Sequence, residues 1–184
     1  MLVRDLACSR VVRFSTLAVS AALASCTSKS ADAPGAGSPS ALALAERVFA
    51  TTPPAGARPL AESKQSAKAG DRIVVSARIG GREQPFVDGR AVIVVADTAL
   101  SMCNEREGDG CPTPWDYCCE TPESIVANTA TVIVADAAGT PLATSLRGVG
   151  GLEPGRAIVV AGTVSENAGG GLVIVAESIH VQGA

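Results

Sequence analysis

Cys103, Cys111, Cys118 and Cys119 are the residues of this 184-residue chain best equipped for chemistry. They form a C-x7-C-x6-C-C array. Thiolates are nucleophiles, disulfide partners and soft-metal ligands. An even number of cysteines in an exported chain favours disulfides. A bond between the adjacent Cys118 and Cys119 would strain the peptide joining them. Each is therefore expected to bond back to Cys103 or Cys111, and two such links would restrict the unfolded loop by about 2–4 kcal/mol each. The sharper alternative is a metal site on Cys103, Cys111, Cys118 and Cys119. Four thiolates suit tetrahedral zinc, and two suit Cu(I). Against it, the array lacks C-x2-C knuckles, and adjacent cysteines reach one ion only with backbone distortion. No cofactor is expected on balance, with zinc or copper as the alternative.

The same stretch, residues 97–124, holds further candidates. Glu105, Glu107, Asp109, Gly110 and Asp116 follow the spacing of an EF-hand calcium loop. Glu stands where Asp is usual at two of those positions, no helices flank the segment, and Cys111 interrupts it. A solvated acidic turn is the expectation. Trp115 and Tyr117 are two of four aromatics beyond residue 25, with Phe49 and Phe86. Both are candidates for a contact surface, with Trp115 tucked under the loop as a local core as the alternative. The single histidine, His180, sits between Ile179 and Val181, and alternation points it to solvent. With that one histidine facing solvent, a Ser-His-Asp triad is hard to build, as is a His-rich metal centre. The glycines of 148–155 lack a following helix and Lys-Ser/Thr, so they read as a turn and not a phosphate loop. No catalytic residues are identified, and the chain is expected not to be an enzyme.

The elements that must position this loop are strands. Residues 72–80 alternate, with Ile73, Val75, Ala77 and Ile79 on one face and Arg72, Ser76 and Arg78 on the other. Gly80-Gly81 then breaks the run. Apolar β-branched stretches follow at 91–96, 129–135, 157–164 and 172–181. Residues 167–171 (NAGGG) offer a hairpin turn between the last two. In the final strand Leu172, Ile174 and Ala176 share one parity, and Ile179 and Val181 the other. A bulge near Glu177-Ser178 would keep both sets inside. Five short strands with a longer connection between the third and fourth imply an all-β fold, a small closed barrel. With Gly70-Asp71 before the first strand, Leu152-Glu153-Pro154-Gly155 before the fourth and Gly162 inside it, residues 70–182 resemble the OB-fold. A small β-sandwich is the alternative. Residues 97–124 are then an insert between strands two and three, far longer than a hairpin needs.

Ahead of the barrel the texture differs. Arg4, Arg10 and Arg13 precede a short apolar run, Phe14 to Leu23, too short to span a bilayer. Leu23-Ala24-Ser25-Cys26 resembles the bacterial lipobox. That resemblance implies a signal peptide over 1–25 and lipidation of Cys26. Thr27-Ser28, with no Asp after the cysteine, resembles the sorting pattern for an outer-membrane or periplasm-facing location over an inner-membrane one. Residues 26–69 read as a flexible tether of Ser, Ala, Pro and Gly with weak helical segments at 42–50 and 59–69. In the former, Leu42, Ala45, Val48 and Phe49 would share a side, and Pro53-Pro54 would end it.

Without residues 1–25, 12 Lys/Arg face 17 Asp/Glu. Such a chain gains little from counterion release, so no nucleic-acid partner is expected. Membrane contact would be through N-terminal lipid, which anchors stably when more than one acyl chain is present. The segment Cys111-Pro-Thr-Pro-Trp-Asp-Tyr-Cys-Cys119 resembles one in uncharacterised exported bacterial OB-like lipoproteins. The resemblance implies fold and address, and no chemistry. The expected function is a membrane-anchored, non-enzymatic binding or structural module of the cell envelope, with an envelope protein as partner. The alternative is thiol-redox or metal handling through the four-cysteine loop.

Overall fold

The computed structural model describes residues 40–183. The lipobox, Cys26 and the signal segment lie outside them. The elements in chain order are α1 (Ala41–Glu46), β1 (Arg58–Pro59), α2 (Leu60–Ser66), β2 (Arg72–Ile79), β3 (Val92–Ala96), α3 (Pro122–Asn128), β4 (Thr129–Ile133), β5 (Ala157–Ala168) and β6 (Gly171–Val181). Among these described residues no helix is long and apolar enough to cross a membrane.

The five alternating stretches become β2 to β6 and close into a barrel. The sheet runs β2-β3-β4-β6-β5, and β5 pairs back onto β2 from Arg72↔Thr163 to Arg78↔Ala157. That closure sets aside the β-sandwich. Neighbours are antiparallel except β4 and β6, which run parallel. The chain forms a small all-β, OB-like barrel. Alternation fills its interior: Val75, Ala77 and Ile79 from β2, Ile93 and Val95 from β3, Ile158 and Val160 from β5 are all buried. Each Val or Ile among them contributes about 1.5–3 kcal/mol when withdrawn from water. Leu142, Leu146 and Leu152 of the long connection before β5 join the same core.

The β6 bulge is present. Ala161 pairs with Ser178 but Gly162 pairs with Ala176, which leaves Glu177 as the extra residue. Leu172, Ile174 and Ala176 before it, and Ile179 and Val181 after it, are all buried. Glu177 turns outward to Arg72 (2.7 Å) and Thr163 (2.9 Å). Gly162 sits where the strands press together: a Cβ there would lie 2.2 Å from the Val175 carbonyl oxygen. The β5–β6 turn is tighter than the five glycine-rich residues suggested. Ala168 pairs with Gly171, and only Gly169 and Gly170, both at positive φ, lie between.

The segment read as tether is the main correction. From α1 onward it is packed against the barrel. Ala45 and Leu60 are fully buried in the core. After α1 the chain runs beside β6: Ala50 N donates to the Ile179 carbonyl (2.8 Å), and Ile179 N to that of Val48 (2.7 Å). The β4–β6 ladder reaches only Val175, so Val48–Ala50 covers β6 backbone that would otherwise be an open edge. Helix α1 stops at Glu46, and Leu42 is exposed while Leu44 packs inward. β1 pairs parallel with β2 at Val75 and Ser76, an extra strand where β2 and β3 share only two residue pairs.

Two long-range contacts hold α2. Asp97, at the end of β3, is buried, and its two oxygens accept from Ala61 N and Ala99 N (2.7 Å each). Lys64 donates to the carbonyls of Val126 and Thr129 (2.6 and 2.7 Å), a cation at the C-terminal end of α3. Burial pulls the Lys64 amine below its ordinary range.

Candidate functional site

The loop that carries the cysteines is docked on the end of β2. Gly80 and Gly81 leave room for it: a Cβ on Gly80 would lie 2.4 Å from the Trp115 carbonyl oxygen. That oxygen accepts from Gly81 N at 2.8 Å. Trp115 Nε1 donates to the Glu83 carbonyl (3.0 Å), and Arg78 donates to Glu105 (3.1 Å). Within the loop Arg106 pairs with Glu120. The break expected at Gly80-Gly81 is therefore a docking platform.

Tyr117 has φ +58°, the left-handed conformation, and is the only non-glycine residue of the described chain at positive φ. Its ring packs against Gly80 and is fully buried. Tyr117 is thus no contact residue but the core of the loop. Its Oη has no partner at hydrogen-bond distance among the described residues, and burial, only partly offset by the nearby Arg78, raises its pKa above the ordinary phenol range. Trp115 is half-buried and lines an open cleft of about 480 Å³ with Met102, Glu153 and Arg156.

The turn at Tyr117 sends the two adjacent cysteines to different places. Cys118 Sγ lies 3.6 Å from Cys103 Sγ and 3.7 Å from Cys111 Sγ. Asp116 joins this set, with Oδ1 3.9 Å from Cys103 Sγ. The ligand atoms of Cys103, Cys111, Asp116 and Cys118 lie within 4.8 Å of one another. Cys119 instead donates to Asp109 Oδ2 at 3.1 Å, and Cys103, Asp109 and Cys119 form a second such group. The four sulfurs therefore do not make one four-cysteine site. Adjacent cysteines diverge, as peptide geometry demands, and a carboxylate completes each set.

No two of the four sulfurs stand at the bond length of a disulfide, about 2.05 Å. Cys118 lies 3.6 and 3.7 Å from its two candidate partners, and Cys119 donates a hydrogen bond to a carboxylate. Tetrahedral zinc with bonds of about 2.3 Å requires sulfurs about 3.8 Å apart, close to the observed spacing. No ion is present.

The local electrostatics follow from these contacts. Burial raises the Cys103 thiol, but hydrogen bonds from the Cys119 main chain and from the Cys119, Cys118 and Cys111 side chains outweigh it, and the net shift is downward. The Cys118 thiol is pushed up, chiefly because it donates to Cys103 and then to Cys111. Donation to Asp109 pushes Cys119 up to about 11, and the same contact holds Asp109 below the usual carboxylate range.

The EF-hand-like acidic residues do not converge. Glu105 accepts from Met102 N, Asp109 from Cys111 N, and Asp116 from Cys118 N and the Thr113 hydroxyl (2.8–2.9 Å). Asp109 and Asp116 were legible only as members of that pattern, and their place beside the sulfurs was not. His180 departs from expectation. It is half-buried, its Nδ1 donating to the Ala50 carbonyl at 3.0 Å, because the packed N-terminal segment covers that face of β6. Comparison of the chain with protein-family models, curated proteins and solved structures finds no match.

Proposed function

We propose that this protein is a lipid-anchored, non-enzymatic module of the bacterial cell envelope whose working part is a thiophilic metal site. The primary ligands are Cys103, Cys111, Cys118 and Asp116. One observation carries the reading: three sulfurs and a carboxylate lie within 4.8 Å of one another, with Cys118 at 3.6 and 3.7 Å from the other two sulfurs. Zinc, or Cu(I) with fewer ligands, suits three thiolates better than hard cations do. The thiol protons that now bridge these atoms leave when the ion enters. The barrel supplies a rigid base, through Gly80, Gly81 and Arg78, that holds the ligands in place. The lipobox-like Leu23–Cys26 supports the anchor and the envelope address.

Elemental analysis and intact mass of the protein purified from membranes test this directly. Bound zinc or copper, with acylation at Cys26, is the expected result. Protein with no metal, that takes up none when reduced, ends the metal reading. An unacylated chain keeping residues 1–25 ends the anchor.

A second reading rests on the cleft beside Trp115. An envelope protein partner that seats on Trp115, Met102 and Arg156 would use the metal as a structural staple for that surface. Trp115→Ala that abolishes co-purification of a partner, with metal content unchanged, favours it.

A further inference from the structure

Cys119 is the one cysteine that the primary site does not use, yet it is not idle. Its sulfur is 3.1 Å from Asp109 Oδ2, and both group with Cys103 within 4.8 Å. Cys103 thus belongs to two ligand sets at once. One is Cys103, Cys111, Asp116 and Cys118, and the other is Cys103, Asp109 and Cys119. A thiolate sulfur has several lone pairs and bridges two soft d¹⁰ ions readily. The two sets are also tied through the backbone: Asp109 Oδ1 accepts from Cys111 N at 2.8 Å.

From this geometry we infer that the loop holds a second thiophilic ion, bound by Cys119, Asp109 and a bridging Cys103. The inference rests on the metal reading above and extends it. The two positions differ in kind. The primary set offers four ligands around the fully buried Cys103 and closes the coordination shell. The second offers three, and its outer ligand Cys119 is exposed. A three-ligand zinc site keeps a place for water or an incoming donor, whereas a four-ligand site is closed. The first ion therefore staples the loop, and the second exchanges with solvent or with a thiolate carrier. Entry of the second ion displaces the thiol proton that Cys119 now donates to Asp109 Oδ2, and that proton is released to solvent.

The test titrates the full-length reduced chain, handled anaerobically, with Zn²⁺ and in parallel with Cu⁺. Native mass spectrometry counts the ions. Two ions per chain are expected, the second lost in Cys119→Ala and in Asp109→Asn. Both variants keep the first. Peptide-level alkylation supplies a readout that needs no variant. Cys103, Cys111 and Cys118 become protected with the first equivalent, and Cys119 only with the second. A single ion in the wild type, or two ions retained in Cys119→Ala, overturns the second position and leaves the first standing. No ion at all overturns both.

Discussion

The barrel and the cysteine loop are held together by different physics. In the barrel, strand pairing and a continuous set of buried aliphatic side chains do the work. Few buried polar groups are involved, and Asp97 and Lys64 are each tied to fixed main-chain partners. The loop spans residues 97–124 with one fully buried aromatic, two turns of 3-10 helix and many side chain to backbone contacts. It has too little apolar area to order itself without help. What it has is sulfur and carboxylate gathered around a space an ion could fill. A barrel built this way is stable by its own composition. The loop needs something added.

The sharpest way to break this contrast is to strip the metal. On the proposed reading, a strong chelator raises amide exchange across 103–119 by on the order of 100-fold or more, since ion binding is local folding energy. Exchange in β2, β5 and β6 stays unchanged. Barrel amides that open equally would show that the two regions are one unit. Next in size is a wound to the barrel alone. Gly162→Val forces a side chain into the Val175 carbonyl and the Ile174 methyl. A loss of more than about 3 kcal/mol in urea unfolding is expected, with ion stoichiometry unchanged in the folded fraction.

Lys64 joins α2 to the α3 end of the loop and gives a pH signature. Its folded-state pKa lies below the ordinary 10.5 because the amine is buried. Between that lowered value and 10.5 the unfolded chain binds more protons than the folded one, so stability rises with pH in this window. Lys64→Met lacks that rise, and urea midpoints at stepped pH for both proteins measure it. The smallest effect belongs to Tyr117. Its hydroxyl is buried without a partner, so Tyr117→Phe removes a desolvated group and no bond. The variant is expected to be unchanged or more stable by up to about 1 kcal/mol. A loss larger than that would reveal a bond to the hydroxyl.

The same contrast governs what was legible in the sequence. Strands announce themselves locally: alternation placed β2, Val-rich runs placed β3 to β6, and a switch of parity located the bulge to the Glu177-Ser178 pair. The packing of residues 41–66 did not announce itself. Its contacts join positions far apart in the chain, Ala61 with Asp97 and Ala50 with Ile179, and its short Ala-rich helices carry little amphipathic signal. In the loop, the four cysteines and the difficulty of using both adjacent ones at one ion were readable from spacing. That the pair diverges into two sets, each with an aspartate, depends on one left-handed residue, Tyr117. Nothing in a Tyr codon forecasts that conformation, which is rare outside glycine.

The stretch Val48–Ala50 lies parallel to β6, held by two main-chain hydrogen bonds and by His180 Nδ1 donating to the Ala50 carbonyl. If the chain is tethered at its N-terminus, any drag on the barrel loads α1, with its buried Ala45, and those bonds before the core strands. Their rupture frees the run from Ser40 to Ala57, which extends by roughly 60 Å at 3.3–3.6 Å per residue. The core strands β2 to β6 keep their pairing. The N-terminal strip would thus act as a mechanical fuse, lengthening the leash before the barrel is asked to bear force.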